Sequence, residues 1–184
     1  MIPDEITVAS HMDARVFTDF SNFNSFWLKN RWLGLTGFPV LMIGLGVINY
    51  LTGSTLLFWI FSSLGIILPL GYMIFYRISL RNQIKANQLE TPRLVYTVTI
   101  SKRGVDVVNQ KERATVRWKQ VYRVFVRKNA VYIYITEGRA FILPEADLPE
   151  GCTMQDLVDL IRAHIDNIRV FDKRPRAMRQ GGRA

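Results

Sequence analysis

Residues 32–76 read WLGLTGFPVLMIGLGVINYLTGSTLLFWIFSSLGIILPLGYMIFY, and none of these 45 residues is Asp, Glu, Lys or Arg. A hydrocarbon core of about 30 Å needs about 20 helical residues, so the run is long enough for two crossings and a short turn. We predict membrane helices at about 33–50 and 56–76, forming a hairpin over 33–76. A buried hairpin of a soluble protein is the alternative, and uncharged runs of this length disfavour it.

The flanks of this run predict the orientation of the hairpin. Lys29 and Arg31 precede it, Arg77 and Arg81 follow it, and the connecting turn carries no charge. Because basic residues stay on the cytoplasmic side, we expect a multi-pass protein of the cell membrane with both termini cytoplasmic. The first 26 residues contain four acidic residues and no long apolar core, so we predict that residues 1–32 are a cytoplasmic N-terminal segment and not an export signal.

After the hairpin, the sequence changes to short alternating apolar runs, which is typical of β-strands. Turn-forming residues separate these runs, and the joints are too short for intervening helices. This excludes a βαβ nucleotide-binding domain and favours a curved antiparallel sheet. The predicted strands are Leu94–Ile100, Val105–Val108, Ala114–Trp118, Tyr122–Arg127, Val131–Ile135 and Ala140–Leu143.

A helix is predicted after the strands. Thr153 is a suitable N-cap, with Asp156 three residues later. An apolar stripe at helical spacing follows, and it consists of Leu157, Leu160, Ile161, His164, Ile165 and Ile168. We therefore predict an α+β membrane protein: a two-helix transmembrane hairpin, then a curved sheet over 86–168 that resembles a barrel of the pleckstrin-homology (PH) type, closed by the C-terminal helix. We predict a basic, disordered tail over 169–184.

A family resemblance rests on the order and spacing of four segments, which are Tyr96–Ile100 with Gly104-Val105, Val116–Val124, Val131–Ile135 and Phe141–Pro144. Together with the hairpin and the closing helix, they make the chain similar to the YcxB-like proteins of bacteria. The resemblance implies two membrane helices followed by a YcxB-like, PH-like domain. It brings a fold and a location, and no catalytic residues to carry over.

Residue types that carry catalysis are sparse. The histidines, His11 and His164, and the single cysteine, Cys152, lack metal-ligand spacing. Glu145, Asp147 and Glu150 are close in sequence, and we expect them to lie in a solvated loop and not to form an acid–base pair. Packing roles are expected for His164 and for Trp118. We therefore predict no enzyme, no metal and no cofactor.

The formal net charge of +9 arises after the hairpin, because acidic and basic groups nearly balance before it. Such cations lie close to an anionic inner leaflet if they flank the membrane. Nucleic acid is disfavoured, since no RNA-binding motif is present and the chain is tethered. The candidate contacts to anionic lipid or to a partner are Arg77, Arg81, Lys85, Lys173, Arg174 and Arg176.

These features predict a non-catalytic, membrane-anchored binding or scaffolding protein. The expected partners are the phospholipid bilayer, in which the chain is integral, and a protein partner or a second copy of the chain. The same basic residues fit lipid headgroups and an acidic protein, so both stay open. The alternative is a small subunit of a membrane transport complex, which the lack of ionisable groups inside the hairpin disfavours.

Overall fold

The computed structural model describes residues 4–109 and 112–175. The chain divides into two compact units. The helical unit comprises Asp13–Thr91, and the β-rich unit comprises Met1–Met12 together with Pro92–Ala184. The helical unit is thus inserted in sequence between the first strand and the rest of the β-rich unit.

The helical unit begins with α1 (Ala14–Asn22), and a π-helical segment continues it over Phe23–Leu28. Asp13 caps α1, because its Oδ1 accepts a hydrogen bond of 2.7 Å from the backbone N–H of Val16. Two long helices follow, α2 (Arg31–Leu51) and α3 (Thr55–Ala86). The turn between them contains Gly53 at a φ of +88°, a backbone conformation that glycine adopts without strain.

Two glycines allow α2 and α3 to pack closely as an antiparallel pair. A Cβ atom at Gly46 would lie 2.9 Å from Ser62 Oγ, and one at Gly65 would lie 3.0 Å from Met42 Cβ. Both distances are too short for a real side chain without movement of its neighbour. Small residues at these two positions therefore set the helix separation, which is the usual arrangement between membrane helices.

The remaining surface of the two long helices is apolar and exposed. In the most hydrophobic window of each helix, only 6% of the residues are buried. Both helices are long and apolar enough to cross a membrane, by length and composition. The predicted helices at 33–50 and 56–76 correspond to α2 and α3, but α3 extends ten residues further. Residues 77–86 contain no proline or glycine, and several are good helix formers, so nothing stops the helix at the end of the apolar run.

The first sheet of the β-rich unit has four antiparallel strands in the order β1-β2-β3-β4. They are β1 (Glu5–Met12), β2 (Arg93–Ser101), β3 (Gly104–Val108) and β4 (Arg113–Arg117). The register of β1 on β2 pairs Ile6 with Ile100 and Met12 with Arg93. Strands that lie on either side of the helical unit in sequence are therefore hydrogen-bonded neighbours.

The second sheet has the order β7-β6-β5-β8. It consists of β5 (Arg123–Val126), β6 (Ala130–Thr136), β7 (Arg139–Pro144) and β8 (Val170–Asp172). The first three strands are antiparallel, whereas β8 runs parallel to β5. Helix α4 (Met154–Arg162) lies between β7 and β8 in sequence, and Thr153 and Asp156 cap it reciprocally, as the sequence predicts.

One hydrophobic core joins both sheets and α4. Its fully buried members include Val98 and Ile100 of the first sheet, Ile133 of the second, and Leu157 and Ile161 of α4. Each such aliphatic side chain stabilises the fold by roughly 1.5–3 kcal/mol relative to exposure. The helix stripe predicted from sequence is therefore correct over 157–161.

A polar link also connects the sheets. Ser10 of β1 is fully buried, and its Oγ donates a hydrogen bond of 2.7 Å to the carbonyl of Ile142 in β7. The backbone N–H of Ile142 donates to the hydroxyl of Tyr96 at 2.7 Å. Burial raises the pKa of Tyr96, so its hydroxyl stays protonated. Both backbone groups of Ile142 are thereby satisfied by side chains of the first sheet.

Several sequence predictions need correction. Each of the six predicted strands overlaps one of β2–β7, but together with β1 and β8 they form two separate four-stranded sheets and no closed barrel among the described residues. Residues 5–12, predicted within a separate N-terminal segment, form β1. The predicted disordered tail starts with the ordered strand β8, while residues 176–184 lie outside the described part of the chain.

The predicted helix ends earlier than its apolar stripe. Helix α4 stops at Arg162, and Asn167–Arg169 form a separate 3-10 turn that leaves Ile168 87% exposed. Asp166 has a low helix propensity because its side chain competes for backbone hydrogen bonds. Ile168 was therefore wrongly included in the buried stripe.

Candidate functional site

Three of the predicted contact residues lie together on the C-terminal part of α3. Arg77, Arg81 and Lys85 are exposed and follow one another at intervals of four residues, so they share one face of the helix. At about 1.5 Å per residue, this cationic ridge (Arg77, Arg81 and Lys85) is about 12 Å long. Among the described residues, no carboxylate forms an ion pair with any of the three.

The spacing of the ridge is electrostatically unfavourable for the helix itself. Like charges four residues apart destabilise a helix by about 0.2–0.5 kcal/mol per pair. Only Lys85, in the last turn, is favoured by the helix dipole. An anion bound along this face would remove the repulsion, so the ridge is suited to phosphate or carboxylate groups.

Arg174 requires a correction, because it is buried and only 4% exposed. Its Nη2 donates hydrogen bonds to Asp172 Oδ2 at 2.8 Å and to Gln155 Oε1 at 2.9 Å, and its Nε donates to Asp172 Oδ1 at 3.1 Å. Arg162 Nη2 also contacts Asp172, at 3.3 Å. Arg174 therefore attaches β8 to α4, and it is not accessible to a lipid headgroup in this structure.

The other two tail residues differ from Arg174. Lys173 is exposed, while its backbone N–H donates to the carbonyl of Val126 at 2.9 Å and extends the pairing of β8 with β5. Its side chain is thus available for contacts at the surface. Arg176 lies outside the described residues.

The polar residues considered for catalysis have structural partners. Asp147 accepts a hydrogen bond of 2.6 Å from the backbone N–H of His11, and its other oxygen lies 3.1 Å from His11 Nδ1. Asp147 therefore fixes β1 to the turn after β7 and is not part of a solvated loop, in contrast to the exposed Glu145 and Glu150. No group of three or more His, Cys, Asp or Glu side chains suited to a metal occurs in the described ranges.

Trp118 and His164 have the packing roles expected from sequence. Their rings stack with centroids 5.9 Å apart, Trp118 is buried, and its Nε1 donates to the carbonyl of Ser101 at 3.0 Å. Burial and the nearby carboxylate of Asp156 raise the pKa of the Cys152 thiol, which disfavours a reactive thiolate.

Sequence reasoning missed a basic groove of about 450 Å³ in the β-rich unit. It brings Lys119, from the 3-10 turn Trp118–Gln120, and Arg123, from the start of β5, beside Arg169, which is 46 residues after Arg123 in the chain. The parallel pairing of β8 with β5 creates this proximity, and no local pattern indicates it. In the sequence, the groove was indicated only by the two basic residues within 119–123, Lys119 and Arg123.

These observations define the chain as an α+β protein whose two long apolar helices are inserted into a β-rich unit with basic surfaces. Residues 100–153, from the end of β2 to the N-cap of α4, match the family model of the YcxB-like proteins. The resemblance drawn from the sequence is confirmed over that segment. Comparison with curated proteins gives no match, and neither does comparison with solved structures.

Proposed function

We propose that this chain is a non-catalytic, membrane-anchored binding protein, in which α2 and α3 anchor the chain and the β-rich unit binds at the membrane surface. The observation that carries the proposal is the pairing of β1 with β2 across an apolar, exposed hairpin. Both strands belong to one sheet, so the chain must leave and re-enter the β-rich unit on the same side of any membrane that the hairpin crosses.

The helix dimensions support the anchoring role. Helix α2, with 21 residues, is about 32 Å long at about 1.5 Å per residue, which matches a hydrocarbon core of about 30 Å. The apolar part of α3, residues 55–76, is about 33 Å long by the same measure. The exposed apolar surface of both helices would be unfavourable in water, and lipid chains would cover it.

The charges support a cytoplasmic location for both chain ends. Lys29 and Arg31 stand before the hairpin and the cationic ridge follows it, while no charged residue lies between them. The positive-inside rule assigns such flanks to the cytoplasmic side. In this arrangement the ridge begins where the apolar part of α3 ends, at the level of the lipid headgroups.

The function of the ridge would be to bind anionic headgroups. Each Lys or Arg near an anionic leaflet contributes about 1 kcal/mol, and three such residues give a salt-dependent contact with the bilayer. We also propose that the β-rich unit acts as a PH-like binding module. The succession of antiparallel strands followed by an amphipathic helix with its apolar face in the core supports this, although the residues that the structure describes form no closed barrel.

The anchoring and the topology can be tested together by cysteine accessibility. Single cysteines are introduced at the exposed positions Glu5, Thr52 and Lys102, in a background in which Cys152 is replaced by Ser. A membrane-impermeant maleimide is applied to sealed vesicles of each orientation. We expect Glu5→Cys and Lys102→Cys to react from one side and Thr52→Cys from the other.

The same vesicles provide a control for integral insertion, because alkaline extraction removes peripheral proteins only. Release of the chain at alkaline pH, or labelling of Thr52→Cys from the same side as Lys102→Cys, would contradict the proposal. The headgroup contact has its own variant, in which Arg77, Arg81 and Lys85 are replaced by Gln. We expect this variant to retain less anionic lipid during purification while it stays inserted.

A further inference from the structure

The groove that the sequence did not reveal lies wholly within the β-rich unit. It opens where the 3-10 turn Trp118–Gln120 enters β5 and where the turn Asn167–Arg169 enters β8. The side chains that matter here are three cations and three large apolar groups, namely Lys119, Arg123, Arg169, Tyr122, Ile168 and Phe171.

The cations are held in place without neutralising carboxylates. The Arg123 guanidinium lies 4.8 Å from the centroid of the Tyr122 ring and 5.9 Å from that of Phe171, which are cation–π distances. Arg169 Nη1 donates a hydrogen bond of 3.2 Å to the carbonyl of Val121. None of the ion pairs between described residues involves these arginines or Lys119.

None of the residues that line the groove is acidic, although one of them, Tyr122, is hydrogen-bonded to a carboxylate. Glu137 accepts a hydrogen bond of 3.2 Å from the Tyr122 hydroxyl. It forms no ion pair with the three groove cations. The groove therefore has a net positive charge and matches an anion such as a phosphate group.

The apolar side chains give the groove a second property. Ile168 is 87% exposed on its turn, and Tyr122 and Phe171 are 38% and 37% exposed. An aliphatic tip beside aromatic rings and arginines is the combination found at membrane–water interfaces, where apolar parts enter the bilayer and charged parts stay at the headgroups. A free phosphate ion or a soluble acidic peptide would leave Ile168 in water.

We propose that this groove docks onto the anionic leaflet of a bilayer. The headgroup phosphates contact Lys119, Arg123 and Arg169, and the side chain of Ile168 enters the interfacial region. This inference rests on the proposed function, because the hairpin keeps the β-rich unit at the membrane and thereby gives the groove a high effective concentration of lipid.

The test uses the full chain reconstituted in lipid nanodiscs. An environment-sensitive fluorophore is attached at Ile168→Cys in the Cys152→Ser background. We expect a blue shift in nanodiscs that contain anionic phospholipid, no shift in nanodiscs of phosphatidylcholine alone, and reversal by high salt. The matched control is the same label at Val108→Cys, an exposed apolar position in the other sheet, where we expect no dependence on lipid.

A charge variant tests the contribution of the groove cations. Lys119→Gln should lower the ratio of docked to undocked protein about fivefold, which corresponds to about 1 kcal/mol for one cation near an anionic leaflet. Lys128→Gln removes the same charge from an exposed lysine beyond the other end of β5 and should leave the ratio unchanged.

The outcomes separate the two proposals. If the chain does not stay in the nanodisc, the proposed anchoring fails, and the groove inference fails with it. If the chain stays inserted but the label at position 168 responds equally to neutral and anionic lipid, the groove inference is overturned while the anchoring stands. Equal effects of Lys119→Gln and Lys128→Gln would also overturn it, because they would indicate a general effect of charge.

Discussion

Replacing Arg174 by Ala tests the conclusion that this residue is structural and does not contact lipid. Asp172 has a side-chain exposure of 6%, and Arg174 provides three of its contacts at 2.8–3.1 Å, including one from the backbone N–H. In the variant, Arg162, at 3.3 Å, remains as a cationic side chain on that carboxylate. Removing one partner of a buried ion pair costs about 3–5 kcal/mol of unfolding free energy. Because Arg162 still contacts the carboxylate, we expect a loss at the lower end of this range.

The measurement is a urea titration of the full chain in mild detergent, in which pulse proteolysis reports the fraction of β-rich unit that is unfolded. With a urea dependence of about 1–3 kcal/mol per molar, a loss of about 3 kcal/mol lowers the midpoint by at least about 1 M. Lys173→Ala is the matched control. It removes the same charge from an exposed neighbour and should change stability by less than about 0.5 kcal/mol.

The control also distinguishes a general charge effect, because removing any positive charge from a chain of net charge +9 relieves repulsion and should stabilise it slightly. Equal midpoints for Arg174→Ala and Lys173→Ala would refute the structural role. The double variant Asp172→Leu/Arg174→Leu provides a further check. It removes both members of the buried Asp172–Arg174 pair and should lie above Arg174→Ala in stability.

Three further predictions concern other parts of the chain. Thr153→Ala should destabilise the β-rich unit by about 1 kcal/mol through loss of the α4 cap. The hydrogen bonds from Thr153 lower the pKa of Asp156, so the stabilisation of the fold by the ionised carboxylate is present above about pH 4 and is lost as the pH falls through the lowered pKa. In urea titrations at acid pH, the difference in stability between wild type and variant should therefore shrink. Gly65→Leu should separate α2 from α3, because even a Cβ atom at this position would lie 3.0 Å from Met42 Cβ. Gly44→Leu is the control and should leave the helix separation unchanged, because Gly44 faces open space. The measurement is the yield of cross-linking between cysteines on the two helices, and equal yields in both variants would contradict the packing. Cys152 should react with maleimide at neutral pH more slowly than a free thiol such as glutathione, since its pKa is raised, and faster reaction would show an activated thiolate.

Local patterns in the sequence predicted much of the fold. The uncharged run predicted α2 and α3, the alternating runs predicted β2–β7, and the Thr153–Asp156 spacing predicted the start of α4. Each of these signals lies within about ten to twenty neighbouring residues, where hydrophobic period and capping chemistry determine structure. The family resemblance was also carried by local order and spacing, and it is confirmed over 100–153.

The features that were not predicted depend on distant partners. β1 has only two apolar residues on its buried face, Ile6 and Val8, and its partner strand begins 81 residues after its own last residue. β8 has three residues and pairs in parallel with β5, so its sequence resembles that of an unstructured basic tail. The burial of Arg174 and the position of Arg169 in the groove both follow from this short strand, which explains why the candidate contacts were only partly correct.

The pairing of β1 with β2 also imposes an order on biosynthesis. β1 leaves the ribosome first, but its partner is made only after the whole hairpin, so the first sheet cannot be completed before both long helices exist. Until then, the apolar residues Ile6 and Val8 have no place in the core, and without β1 the edge of β2 would be unpaired. If the hairpin crosses a membrane as proposed, completion of the sheet would serve as a check on insertion, because a chain with one crossing instead of two would keep an open strand edge that proteases and chaperones recognise.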